Sequence, residues 1–319
     1  MISFGPVPSR RLGKSLGINN IPAKICSYSC VYCQLGKATK MKANRQAFYS
    51  PERIFEDVKN KISEAKARNE RVDYLTFVPD GEPTLDINLG KEISLLQQMG
   101  IPIAALTNAS LIWESDVKNC LSKIDLVSLK VDAITENLWH RINNPHKSLK
   151  LDEILDGIVE FSKEFRGITI TETMLVDGVD YTDEFDKIAD FLAEVKLNKA
   201  YIAIPTRPPA EGWVRPAREG LINKAFQTFA AKLGQEKVEY LIGYEGNAFA
   251  FTGNVEEDLL SITSVHPMRE EGIKEFLKKA EADWSVVGKM ISDGKMIELE
   301  YENYRYYMRK IPSRMKLEF

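Results

Sequence analysis

Between residues 51 and 210 the chain alternates amphipathic helical stretches with short apolar ones, and few architectures accommodate that rhythm. PERIFEDVKNKISEAKARN spaces its apolar residues for a helix, behind a proline suited to a first turn, and VDYLTFVP then reads as a buried strand. The pattern recurs in LGKEISLLQQMG with IPIAALTN, WESDVKNCLSKI with DLVSLKVDA, LDEILDGIVEFSKEF with GITITETMLV, and DEFDKIADFLAEVK with KAYIAIP. Taking GKSLGINN as the first strand gives six strand–helix steps. Strands joined by right-handed helical crossovers make a parallel sheet with the helices outside. The segments after the strands, CSYSCVYC, DGEPTLD, TNAS, DAITE, VDGVDYTD and TRPPAEGW, then share one rim, where such folds hold their chemistry.

A length of 319 residues suits one barrel-sized unit with an appendage, and 44% hydrophobic with 28% charged residues excludes wholesale disorder. The expected units are a barrel over 1–215, a connecting helix and strand extension over 216–254, and a C-terminal unit over 255–319. In the last, PMREEGIKEFLKKA and DWSVVGKMISDG read as helices, and KMIELEYENYRYYMRKI as two aromatic strands turning at Glu302-Asn303. That order resembles a winged helix-turn-helix. Its candidate recognition helix, 284–292, has only Lys289 as a basic residue, which favours a packing or protein-contact role over nucleic-acid binding. MISFGPVPSRRLG has no apolar stretch behind its basic residues, and runs such as IPIAAL are too short to span a bilayer. A soluble, cytoplasmic protein without a membrane partner is expected.

Three of the four cysteines, Cys26, Cys30 and Cys33, fall within eight residues. So few cysteines make no secreted disulfide framework, and a close triplet reads as a metal or catalytic site in a reducing compartment. Residues 1–51 carry eight basic side chains and no acidic one, which leaves −11 for the rest of a chain whose net charge is −3. Thiolates here would sit in a locally positive field. Structural zinc needs a fourth ligand, usually from a second C-x2-C, and none is present; Cys120 lies mid-helix, and His140, His146 and His266 have no ligand-like spacing. A redox dithiol uses two cysteines and leaves the third unexplained. An iron-sulfur cluster held by three thiolates instead keeps one iron open to a substrate.

C-x3-C-x2-C with an aromatic residue, Tyr32, before the last cysteine, in a loop after the first strand, resembles the radical S-adenosylmethionine superfamily. The resemblance implies a partial (β/α)6 TIM-like barrel with a small winged-helix-like C-terminal domain. It also implies a [4Fe-4S] cluster on Cys26, Cys30 and Cys33, with S-adenosylmethionine chelating the open iron. One electron, from a flavodoxin- or ferredoxin-type donor, would split the sulfonium into methionine and a 5′-deoxyadenosyl radical that abstracts hydrogen. Asp80-Gly81-Glu82-Pro83 occupies the place of the superfamily's GGE motif, where a glycine permits close approach and a carboxylate suits the methionine ammonium. Thr107-Asn108 corresponds to a polar pair directed at the ribose or the methionine carboxylate. FGPVPSRRLGKSLGINN, GEPTL, TRPP and FTGNVEEDLLSITSVHPMR extend the resemblance over the whole chain, to an Fe-S oxidoreductase branch related to tRNA wyosine-base-synthesising enzymes. Those enzymes carry further cysteines, and with only Cys120 to spare this chain has no auxiliary cluster.

Strand alternation nominates further residues. Ser128, Lys130 and Asp132 alternate, which puts Lys130 and Asp132 toward the barrel cavity and its cofactor, as an ion pair. Thr169, Thr171 and Thr173 oppose Glu172 and Met174, and Glu172 becomes a substrate candidate. Arg207, stiffened by prolines, would clamp a carboxylate or phosphate, and Trp213 would wall the cavity. A free nucleobase or small anionic metabolite fits the modest basic patch better than tRNA, which needs many phosphate contacts. The competing reading is an Fe-S nucleic-acid-binding or redox-sensing protein that uses its winged terminus.

Overall fold

A computed structural model describes residues 2–78, 80–243 and 246–310. Strands β1 (Ser3–Ser9) and β2 (Gly13–Ile18) form an antiparallel hairpin, and the two-residue strands β3 (Ile25–Cys26) and β4 (Lys40–Met41) pair in parallel beside it. From β2 the main sheet continues through β5 (Tyr74–Phe77), β6 (Ile103–Thr107), β7 (Leu126–Lys130), β8 (Ile168–Met174), β9 (Lys199–Ala203) and β10 (Val238–Leu241). Each of these is parallel to its neighbour, so the eight-stranded sheet is parallel except at β1. Its edges are β1 and β10, which leaves the barrel partial. The six anticipated steps are present, and β10 adds a seventh parallel strand within the 216–254 extension.

Crossovers are made by α1 (Pro51–Ala67), α2 (Leu89–Leu96), α3 (Ser115–Leu121), α4 (Glu136–Asn143), α5 (Leu151–Glu164), α6 (Glu184–Glu194) and α7 (Glu219–Leu233). In α1, the Ser50 hydroxyl accepts the Arg53 N–H at 3.3 Å, Pro51 occupies the first turn, and Ile54, Val58 and Ile62 are buried. That apolar stripe packs on the outward residues of the strands, such as Leu75, Phe77, Val127 and Leu129, in the main core. The concave face differs. There Leu12, in the β1–β2 turn, packs on Ala104, Leu126 and Ile170 and closes the barrel bottom. Higher up, polar residues join the inward face: Ser15 on β2 and Thr76 on β5, whose hydroxyls lie 2.7 Å apart, then Ser128 and Lys130 on β7.

Strand β1 does not show in the sequence, because Pro6 and Pro8 read as loop. Proline is admissible on an edge strand, where one row of N–H groups has no ladder partner. The strand is irregular between Phe4 and Val7, around Gly5 at φ 91°. Phe4 lies over Gly17, where a Cβ would come within 2.0 Å of its ring.

The C-terminal unit contains α8 (Val255–Val265), β11 (Met268–Arg269), α9 (Glu270–Lys279), α10 (Ser285–Ser292), β12 (Met296–Tyr301) and β13 (Tyr304–Arg309). Its three strands form an antiparallel sheet in the order β11-β13-β12, and the hairpin turns at Glu302 and Asn303, both at positive φ (49° and 62°). Leu259, Ile262, Phe276, Met290 and Tyr307 share one core with Phe4, Val7 and Leu35. Tyr301 and Tyr306 donate from their hydroxyls to Pro205 O (3.3 Å) and Thr206 O (2.8 Å), just after β9. The unit therefore braces the open side of the barrel at its working rim. Among the described residues, no helix is long and apolar enough to cross a membrane.

Candidate active site

The cysteine loop is held from two sides. Lys24 N–H donates to Asp80 O at 2.6 Å and Glu82 N–H to Ile25 O at 3.2 Å, so residues 80–82 line up against the strand that leads into Cys26. Gly81 sits inside this pairing: a Cβ there would lie 1.8 Å from the Ile25 carbonyl oxygen. On the other side, Val31 N–H donates to Ile142 O at 2.9 Å and Ser29 N–H to Asn143 O at 3.1 Å, at the end of α4. Within the loop, Cys33 N–H bonds Cys30 O (3.1 Å) and Gly36 N–H bonds Cys33 O (3.0 Å), and these turns bring the cysteines to one wall.

That wall bounds a cavity of about 310 Å³ at the C-terminal ends of the parallel strands. Cys26, Cys30, Cys33, Tyr32, Gly81, Glu82, Thr107 and Asn108 line its upper part, with Ser128, Lys130, Glu172 and Arg11 below and Arg10 and Arg207 also on its lining. A larger groove of about 580 Å³, beside α2 and α3, contains Cys120 and none of these residues.

Glu82 is buried and heavily bonded. Its Oε1 accepts Thr84 N–H (3.0 Å), Thr84 Oγ1–H (2.7 Å) and Thr107 Oγ1–H (2.6 Å), and Oε2 accepts Asn108 N–H at 2.7 Å. Burial raises its pKa against the pull of these donors. With one described donor, Oε2 keeps a lone pair for a ligand ammonium. Asn108 donates from Nδ2 to Ser27 Oγ at 2.8 Å and lies 3.6 Å from Cys26 Sγ. Thr107-Asn108 thus binds the Glu82 carboxylate to the cysteine loop.

Three expectations are corrected. Asp80, Pro83 and Asp132 do not line the cavity. Asp80 contributes through its main chain, with its N–H on Asn19 Oδ1 at 3.0 Å, and burial pushes its carboxyl up to about 7, opposed by Lys24. Lys130 pairs with Glu172 at 2.5 Å and not with Asp132, because both point inward from adjacent strands paired at that register. Trp213 lies outside the cavity, 38% exposed, under the Arg141 guanidinium at 4.5 Å. Arg207 does reach the lining, but its guanidinium bonds Gln34 Oε1 at 2.9 Å and His266 Nε2 at 3.0 Å, so it joins the loop after Cys33 to the C-terminal unit. Of the outward threonines, Thr173 donates to Val131 O at 2.7 Å, while the buried Thr171 hydroxyl has no partner among the described residues.

Glu172 receives Lys130 and Arg11 together, the latter from the β1–β2 turn beneath the barrel. Burial alone would raise its pKa, but these cations outweigh it and hold the carboxyl at about 2. Lys130 is correspondingly kept charged, with Glu172 and Asp132 overcoming its desolvation. A carboxyl depressed below its unfolded value, near 4.3, stabilises the fold above that pH and loses the contribution as pH falls toward 2. Glu172→Gln should therefore flatten the acid limb of the melting-temperature profile between about pH 4 and 2, which thermal melts across that range can read.

Asp132 lies beneath Tyr32, whose hydroxyl donates to it, and also accepts Asn143 Nδ2 (2.6 Å) and Met174 N–H (2.8 Å). Arg11, Gln34, Asn143 and His266 are site residues the sequence reading missed. Only Gln34, adjacent to Cys33, and Asn143, in the helix-stopping Asn-Asn-Pro, carried any local signal.

The donor set suits a cluster better than a single ion. Burial raises the thiols of Cys26 and Cys30, the latter up to about 12, so ligation must displace their protons. Among the described residues no group of three or more His, Cys, Asp and Glu side chains is arranged around one metal ion. Three thiols on one wall, two of them beside amide donors, fit an iron-sulfur cluster with an open coordination position.

Comparisons with known proteins agree with this geometry. Residues 20–192 match the radical SAM superfamily. UPF0026 protein MJ1312 of Methanocaldococcus jannaschii is 52% identical over 316 residues, covering 99% of this chain and 98% of that protein. A radical SAM methyltransferase from Sphaerobacter thermophilus superposes with a TM-score of 0.54 at 15% identity, over 71% of this chain and 66% of that one. TYW1 with a lysine-pyruvate adduct bound gives 0.51 at 16% identity, over 68% and 73%. These two structures share the fold. The matched segment carries the cysteine triplet, the Asp80–Pro83 turn and strands β5 to β8 of the barrel, and the chain belongs to the radical SAM superfamily.

Proposed function

We propose that this enzyme reductively cleaves S-adenosylmethionine at the cysteine wall and takes hydrogen from a small anionic or nucleobase-type substrate in the same cavity. As a radical SAM enzyme its cofactors are a [4Fe-4S] cluster and S-adenosylmethionine. When bound and reduced, the cluster supplies the electron that splits the sulfonium into methionine and the 5′-deoxyadenosyl radical. The chain supplies everything else. Cys26, Cys30 and Cys33 hold the cluster, and Glu82 accepts the methionine ammonium in an orientation fixed by Thr84, Thr107 and Asn108. Tyr32 borders the same upper wall. Leu35, Val78, Leu106, Met174 and Leu241 keep water from the reacting centre, while Lys130, Glu172 and Arg11 form a charged floor.

The observation that carries the substrate class is charge. Four cations, Arg10, Arg11, Lys130 and Arg207, and two carboxylates, Glu82 and Glu172, line the cavity. With Glu82 committed to the ammonium, the floor sets two cations, Lys130 and Arg11, against the single carboxylate of Glu172, which favours an anion. The volume, about 310 Å³ before either cofactor is placed, favours a small molecule. A flavodoxin- or ferredoxin-type protein would donate the electron. The competing reading, a nucleic-acid-binding sensor, draws on the helix–helix–hairpin order of the C-terminal unit. Against it, α10 has only Lys289 as a basic residue, and Tyr301 and Tyr306 of the hairpin are engaged on the barrel rim.

The test is substrate-dependent stimulation. Reconstituted enzyme is incubated anaerobically with dithionite and S-adenosylmethionine in deuterated buffer, with free bases, small organic anions or tRNA added separately. Small anions or bases should raise 5′-deoxyadenosine release at least about tenfold, equivalent to about 1.4 kcal/mol in barrier. Stimulation by tRNA alone would refute the small-substrate reading.

A further inference from the structure

The end of α4 grips the cysteine loop with more than its main chain. Asn144 adopts φ 42°, the left-handed conformation that stops a helix, and the freed carbonyls of Ile142 and Asn143 are taken by Val31 and Ser29 rather than by solvent. Asn143 itself is 2% exposed and directs its side chain into the same loop. Its amide nitrogen lies 3.6 Å from Cys30 Sγ, 2.6 Å from Asp132 Oδ2 and 3.2 Å from Tyr32 OH. Asp132 cannot follow a moving partner, because its Oδ1 is fixed by Met174 N–H on β8 at 2.8 Å. An amide with two hydrogens among three acceptors, two in the cysteine loop and one at the end of β7, has no freedom to swing away. Cys30 therefore keeps a donor at a fixed place beside its sulfur.

We propose that Asn143 is a positioning residue: it aims Cys30 at the cluster and, by donating to the ligating sulfur, makes the cluster easier to reduce. The inference rests on the cluster assignment above. Charge on a ligating sulfur increases on reduction, so a hydrogen-bond donor there stabilises the reduced state more than the oxidised one. Removing that donor moves the potential downward. Asn108 makes the equivalent approach to Cys26, also at 3.6 Å, but Ser27 Oγ at 2.8 Å is its nearer partner, whereas Asn143 couples Cys30 to Tyr32 and Asp132.

Asn143→Leu removes the donor without adding charge, and Asn143→Asp keeps the shape while adding a carboxylate. Each variant and the wild type are reconstituted anaerobically, assayed for iron and sulfide, and titrated by electron paramagnetic resonance against solution potential, with melting of the metal-free chains in parallel. For iron-replete Asn143→Leu the reduced-to-oxidised ratio at the wild-type midpoint should fall about tenfold, equivalent to 59 mV for a one-electron couple, and for Asn143→Asp further. Loss of the cluster with unchanged metal-free melting also supports the proposal, because Cys30 has then lost its aim. Iron-replete variants with the wild-type potential overturn it. So does cluster loss that accompanies a collapse of metal-free stability, which would reduce Asn143 to a packing residue. Failure of the wild type to take up iron would overturn the cluster assignment and this inference together, and is distinguished by that control.

Discussion

Alanine at any one of Cys26, Cys30 or Cys33 should lower 5′-deoxyadenosine release by at least about a thousandfold, roughly 4 kcal/mol in barrier, while the metal-free chain melts within a few degrees of wild type. The two halves of this expectation have separate causes. All three cysteines line the same cavity and no other cysteine of the chain does, so there is no spare thiol to substitute. Stability is little affected because the cysteines are only partly buried and each loses one sulfur atom, worth about 1 kcal/mol. Liquid chromatography of a dithionite-driven reaction, beside a thermal melt, measures both. Substantial cleavage by a single-cysteine variant would mean that the triplet is not the ligand set.

Gly81→Ala should damage fold and function together. The added carbon would lie 1.8 Å from the Ile25 carbonyl oxygen, and a main-chain oxygen cannot rotate aside as a side chain could. Either residues 80–82 or the strand leading into Cys26 must shift. Overpacking of this kind costs about 1–3 kcal/mol, and a misplacement near 1 Å between a cysteine ligand and Glu82 costs about a hundredfold in rate. Denaturant titration and the cleavage assay should therefore move in step. A variant with normal stability and normal cleavage would show that this pairing does not set the loop's position.

Much of the scaffold was readable because local signals and tertiary structure agree. The helix of 51–67 has its cap, its proline and its stripe in register, and the apolar strands from Tyr74 to Ala203 sit where their periodicity puts them. Cys26, Cys30, Cys33, Glu82, Thr107 and Asn108 were also readable, since each lies at the end of a strand or just after one and so reaches the same rim. What escaped depends on contacts between distant segments. Strand β1 hides behind two prolines and exists because its edge position forgives them. Lys130 was expected to meet Asp132 two residues on, but the register of β7 on β8 sets Glu172 beside it, and Arg11 arrives from 161 residues away. Sequence separation alone carries no trace of that triad. Trp213 follows the strand-end rule yet turns outward, because Arg141 of α4 offers its ring a cation at the surface. Arg207 was placed on the right rim, but its bonds to Gln34 and His266 emerge only when the C-terminal unit is docked.

On one cavity wall, Cys26, Cys30 and Cys33 are proposed to hold a cluster whose open position, beside Glu82, receives S-adenosylmethionine. The most direct test is to quantify 5′-deoxyadenosine and methionine released per chain by anaerobically reconstituted wild-type protein given dithionite and S-adenosylmethionine. Equimolar release of the two products, by protein that carries about four irons and four sulfides, is the expected result. An iron-replete protein that releases neither product would contradict the account.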